Sequence, residues 1–83
     1  MWQGQRVSVV FPAYNEEAGI AAAVEDFGGI EAVDQGLVVD NNSRDQTALR
    51  AATAGARVVS EPHQGYGNAL RRGLLEAQGE YIV

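Results

Sequence analysis

Between Arg6 and Pro12 the run RVSVVFP places β-branched and aromatic residues at successive positions, the pattern of a strand covered on both faces inside a parallel sheet. Polar residues follow, and then Ile20, Ala23, Val24 and Phe27 recur at helical spacing. That spacing predicts a helix capped by Asn15, with Glu16 and Glu17 in a first turn where the dipole favours carboxylates, and stopped by Gly28 and Gly29. The arrangement recurs. Leu37 to Val39 is a short apolar strand, Ser43 with Gln46 has the form of a capping box, and an alanine-rich helix runs on to Gly55. Arg57 to Ser60 reads as a third strand. After the loop EPHQGYG a helix places Leu70, Leu74 and Ala77 on one face and Gly79 past its end, and Tyr81, Ile82 and Val83 open a fourth strand.

The order βαβαβαβ, with helices of about ten residues, predicts an α/β fold with right-handed crossovers, a parallel Rossmann-like sheet and helices on its faces. In such a sheet all strand-to-helix loops emerge on one edge, where open α/β sheets bind ligands. Residues 13–16, 40–43 and 61–67 are predicted to converge there.

Length and composition narrow the reading. The chain has 83 residues, room for a single small domain, and 46% hydrophobic with 20% charged residues is ordinary globular usage. Six arginines against eleven carboxylates give a net charge of -5. The arginines are scattered, which argues against a nucleic-acid partner. With no cysteine and only His63, thiolate zinc sites, disulfides and histidine clusters are excluded, and His63 reads as a loop residue rather than a base. No apolar run reaches the roughly 20 residues of a membrane span, and the start lacks a signal-peptide pattern, so the expected location is cytoplasmic.

Three blocks, VSVVFPAYNEE, LVVDNNSRDQT and EPHQGYGNALRRGLLEAQGEYIV, resemble in order and spacing the opening of family 2 glycosyltransferases, which share the nucleotide-sugar-binding GT-A fold. The resemblance runs from Val7 to Val83. The third block is most similar to the polyprenyl-phosphate sugar transferases of that family. The implied fold is the N-terminal half of GT-A, and residues 1–83 form one incomplete domain. The implied partner is a UDP- or GDP-sugar, whose sugar a longer parent enzyme of hexosyltransferase type transfers with inversion. The implied acceptor is a polyprenyl phosphate, which would bring that parent to the membrane surface.

The resemblance also implies site residues. Pro12, Ala13 and Tyr14 would wall the base and ribose, and Glu16 would accept hydrogen bonds from ribose hydroxyls, for which a carboxylate suits two vicinal donors. Asp40 would accept the ring N–H of the base, a donor that uracil and guanine share. Asn41 and Asn42 stand where Asp and Gly are common, and Asn42 then takes a position often chosen for positive φ. Gly67, with Gly65, Tyr66 and Asn68, precedes a helix whose N–H groups would face the diphosphate, helped by Arg71 or Arg72. Each has a plainer reading: a helix-terminal carboxylate for Glu16, an acidic turn for Asp40, a flexible turn for the glycines, a solvated face for the arginines.

Family members hold Mg²⁺ or Mn²⁺ on an Asp-x-Asp-like motif after the strand begun at Tyr81, and supply a carboxylate base later still. The chain stops at Val83 without a turn or polar tail, so the expectation is a fragment that binds no metal itself, names no catalytic residue and is inactive alone. A dinucleotide-binding reading fails because FPAYNE carries no glycine after the first strand. Two alternatives remain: a stand-alone nucleotide-binding or regulatory module without transfer activity, and a doubly wound domain whose strand ends are only structural.

Overall fold

The computed structural model of the chain describes Gly4 and residues 7–31, 33–77 and 81–82. The elements are β1 (Val7–Ala13), α1 (Ile20–Gly28), β2 (Gln35–Asp40), α2 (Thr47–Thr53), β3 (Arg57–Ser60), α3 (Tyr66–Glu76) and β4 (Tyr81–Ile82). Their order is the predicted βαβαβαβ. All pairings are parallel, in the order β3-β2-β1-β4, with Val10 opposite Leu37, Leu37 opposite Arg57 and Val7 opposite Tyr81. Arg6, Gly79 and Val83, to which the sequence gives element ends, lie outside the described residues.

Successive side chains of β1 and β2 go to opposite faces, and both faces are covered, which is why the strands read as continuous apolar runs. On one face Ala13 and Val38 pack with Ile20 and Val24 of α1 and Ala51 of α2. Phe11 and Phe27 meet there with ring centroids 6.0 Å apart. On the other face Val10, Leu37 and Val39 pack against Ala69 of α3. Among the described residues no helix is long and apolar enough to cross a membrane.

Three sequence expectations need correction. The first helix begins at Ile20, behind Gly19, not at Asn15, so Glu16 and Glu17 lie ahead of it and not in its first turn. Asn15 instead adopts φ 50°, and its side chain is spent on the second loop. The capping box also fails. The cap position of α2 is Gln46 with no side-chain bond, Ser43 Oγ accepts the Asn15 N–H, and Asp45 Oδ1 accepts the N–H of Thr47 at 3.0 Å.

The third correction concerns α3. Ala69 and Gly73 face the sheet, whereas Leu74 and Leu75 are 50% and 67% exposed. Of the predicted face, Ala77 does pack on the core. Gly73 sets the register because a Cβ there would lie 2.2 Å from Val10 Cγ1 and 3.2 Å from Val39 Cγ2. The helix can therefore sit close only on its smallest residues, and counting leucines misplaces the seam.

Candidate nucleotide site at the sheet edge

The three strand-to-helix loops meet at the carboxyl edge, as predicted, and hydrogen bonds tie them together. The first and second are joined reciprocally. The Asn15 N–H donates to Ser43 Oγ at 2.8 Å, while the Arg44 N–H donates to Asn15 Oδ1 at 2.9 Å. Likewise the Glu16 N–H donates to Thr47 Oγ1 at 2.8 Å and the Gln46 N–H to Glu17 Oε2 at 3.1 Å. Thr47 is fully buried and its hydroxyl donates to Asp45 Oδ1, which explains why a polar residue lies under this edge.

Asn41 ties the second loop to the third. Its Nδ2 donates to the carbonyls of Glu61 at 3.0 Å and His63 at 2.9 Å, and its Oδ1 accepts the N–H of Gly65 at 3.0 Å. Its backbone N–H also donates to the Ala13 carbonyl at 2.8 Å. Two carbonyls on one end and one N–H on the other fix the orientation of the amide. Gly65 takes φ 133°, which side-chain-bearing residues rarely adopt, and the chain then enters α3.

Between β1 and the start of α3 these loops leave a groove of about 350 Å³, lined by Pro12, Ala13, Tyr14, Asn41, Gln64, Gly65, Tyr66 and Ala69. That volume is in the range of small-molecule sites. Pro12, Ala13 and Tyr14 thus stand on its wall. Glu16, Asp40 and Gly67 lie outside the lining. Glu16 and Gly67 are exposed, and Asp40, half-buried, accepts the Ser43 N–H at 3.3 Å. A Cβ at Gly67 would meet nothing within 4 Å, so the first turn of α3 is open to approach. Sequence reasoning missed Asn41, Gln64 and Ala69 among the lining residues, and it took Tyr66 only for its backbone beside a diphosphate. The available signal was a polar residue closing an apolar strand beside Asp40.

Charge near the groove differs from expectation. Arg72, a candidate phosphate partner, is engaged with Glu61, its Nε 3.2 Å from Oε1, and its Nη1 lies 3.6 Å from Glu76 Oε2. Glu61 is only 7% exposed, and its Oε2 accepts the His63 N–H at 2.9 Å and faces His63 Nδ1 at 3.1 Å. The His63 N–H holds the Glu61 carboxyl below its ordinary range against the opposing effect of burial, with Arg72 assisting. His63 belongs to this cluster, as a loop residue. Arg71 is exposed at the helix surface.

Among the described residues no three His, Cys, Asp or Glu side chains come together as a cation site. Among the described residues no carboxylate lines the groove, so they supply no ligand there for the Mg²⁺ or Mn²⁺ centre that the resemblance implies.

Comparison with known proteins adds the relatives. The family model described as Glycosyl transferase family 2 matches residues 8–83. The chain is 49% identical, over 89% of its length, to an uncharacterized glycosyltransferase of Mycobacterium tuberculosis, covering 33% of that protein. It is 42% identical over its whole length to Protein RfbJ of Shigella flexneri, covering 64% of it. Glucosyl-3-phosphoglycerate synthase from M. tuberculosis has been solved with Mn²⁺, UDP-glucose and phosphoglyceric acid, and separately with Mg²⁺ and UDP. Each of these superposes with a TM-score of 0.85 at 37% identity, over 95% of this chain and 32% of that one. The chain thus spans about a third of the length of most of these relatives.

Proposed function

Because the chain belongs to glycosyl transferase family 2, we propose that it is the donor-binding half of a glycosyltransferase that takes a nucleoside-diphosphate sugar, with UDP as the nucleotide. The observation that carries this reading is the groove at the carboxyl edge, walled by Pro12, Ala13 and Tyr14 on one side and by the β3–α3 loop on the other. An apolar wall beside an exposed tyrosine suits a flat base. Glu16 and Asp40 supply carboxylates for ribose hydroxyls and the base N–H, and the open turn at Gly67 presents backbone N–H groups to the diphosphate. The UDP held by glucosyl-3-phosphoglycerate synthase supports uridine over guanosine.

In the transfer proposed for the longer enzyme, an acceptor oxygen attacks the anomeric carbon from the face opposite the nucleotide. The bond to the diphosphate oxygen breaks, the nucleoside diphosphate leaves with the electron pair, and the configuration inverts. A base takes the acceptor's proton. His63, bound up with Glu61, is not proposed as that base. Their part is to bind and orient the donor. A divalent cation would neutralise charge on the leaving diphosphate, held by carboxylates outside the described residues.

Titration calorimetry of the protein with UDP, GDP and UDP-glucose tests the proposal, which expects UDP to bind more tightly than GDP. No heat with any of the three sinks it. Two acceptors belong in a transfer assay of a longer parent: a polyprenyl phosphate, implied by the third sequence block, and phosphoglyceric acid, which the solved neighbour holds.

A further inference from the structure

Asn41 forms part of the groove floor, yet it has little left to offer a ligand. It is 6% exposed, and both amide hydrogens and one lone pair of its oxygen are already used on the third loop. Its three bonds reach Glu61, His63 and Gly65, the start, middle and end of the segment that carries Gln64 and leads into Tyr66. Tyr66 itself is 72% exposed at the rim, so its own packing does not hold it there. The outer wall of the groove is therefore held from below by Asn41 at three points, beside the Glu61 N–H bond to the Asp40 carbonyl and the Glu61 carboxylate's bonds to His63 and Arg72.

We infer that Asn41 is a positioning residue for nucleotide binding: it sets the width of the groove by holding the β3–α3 loop, without itself bonding the nucleotide. This rests on the nucleoside-diphosphate reading of the same groove. Asp40, its neighbour, has the complementary role of direct contact. The distinction is chemical, because a carboxylate at position 41 would have an acceptor for Gly65 but no hydrogen for either carbonyl.

Asn41→Asp keeps the side-chain shape and removes both donors. Two lost hydrogen bonds should weaken UDP binding about tenfold or more. Placed against two carbonyls and out of water, the new carboxyl has a raised pKa, and on protonation it regains one donor. The ratio of variant to wild-type Kd should therefore shrink between about pH 8 and about pH 5. The surrounding titratable and charged groups are Asp40 on β2, Glu61 and His63 on the loop, Tyr14 after β1, and Tyr66 and Arg72 on α3. All are common to both proteins, so the ratio reports what position 41 changes, the coupling of these groups to the new carboxyl included. A residue that only supports the fold would lower the melting temperature and leave the Kd of the folded protein unchanged at every pH.

Calorimetry with UDP on both proteins across that pH range gives the answer. Equal affinities throughout overturn the inference alone, whereas a wild type that does not bind UDP overturns the nucleotide reading and this inference with it. If the variant does not fold, hydrogen exchange in the wild type decides: the Asn41 side-chain amide hydrogens should exchange slowly in the free protein. Fast exchange there means that the loop is not held, and the inference falls.

Discussion

Asp40 and Asn41 are consecutive where β2 ends, yet Asn41 lines the groove whereas Asp40 lies outside its lining and bonds the start of the second loop. Asn41 is consumed by the third loop, while Asp40 Oδ1 accepts one long bond from the Ser43 N–H and Oδ2 accepts none among the described residues. Asp40 is the member of the pair with capacity to spare for a ligand.

Asp40→Ala should accordingly weaken UDP binding by about 1.5–3 kcal/mol, the loss expected for a charged hydrogen bond, with the melting temperature nearly unchanged. Calorimetry beside a thermal melt measures both quantities. Equal UDP affinity in the two proteins would remove Asp40 from the site.

Gly73→Ala should destabilise the protein. The added methyl would overlap Val10 Cγ1 at 2.2 Å, and Val10 is a stiff, buried β-branched residue that cannot swing away. Overpacking costs roughly 1–3 kcal/mol, offset by about 1 kcal/mol of helix propensity. Gly67→Ala, with open space around it, serves as the control and should be neutral or stabilising. A urea midpoint for Gly73→Ala at or above wild type would contradict the close seam.

Acid should unfold the protein in part through Glu61. Its carboxyl is held below the ordinary value of 4.5, chiefly by the His63 N–H, so the folded state favours the carboxylate. The sign follows: this stability is present above the ordinary value and is lost as pH falls through it toward the lower folded value. Glu61→Gln should flatten the decline of melting temperature below about pH 5. Some decline should remain, because Asp45 is also held below its ordinary 3.8, chiefly by the Thr47 hydroxyl. Parallel curves for the two proteins would rule out Glu61 as a contributor.

Mg²⁺ and Mn²⁺ should leave the UDP affinity of this chain unchanged, since a cation bridged to a diphosphate still needs one or two protein carboxylates and none of the described residues that line the groove is one. Titrations with each metal and with a chelator provide the check. A metal-dependent rise in affinity would mean that the residues present form a cation site after all.

Much of the fold was legible because burial on both faces of a parallel strand leaves an unbroken apolar run, and VSVV and LVV carry one. The place of Pro12, Ala13 and Tyr14 at the groove was legible from the motif around them. The helix starts were not. Asn15 and Ser43 have the chemistry of caps, but each spends its side chain on a loop close to 30 residues away, and local spacing cannot reveal that. The seam of α3 was hidden for a different reason: Gly73 packs through having no side chain, and hydrophobic periodicity counts side chains.

The bonds joining the first two loops have a kinetic consequence. Those made by Asn15, Glu16 and Glu17 with Ser43, Arg44, Gln46, Thr47 and their neighbours bridge 28 to 33 positions of chain. None can form while either strand is free, because closing so long a segment is entropically unfavourable until β1–β2 pairing has already closed it. The binding edge is therefore a late product of folding rather than a nucleus for it. In pulse-labelled hydrogen exchange the amides of Val38 and Val39 should gain protection before those of Asn15 and Glu16, and simultaneous protection would contradict this order. Any ligand that binds the finished edge selectively would draw the population toward it by mass action, acting as a last folding partner of the surface it occupies.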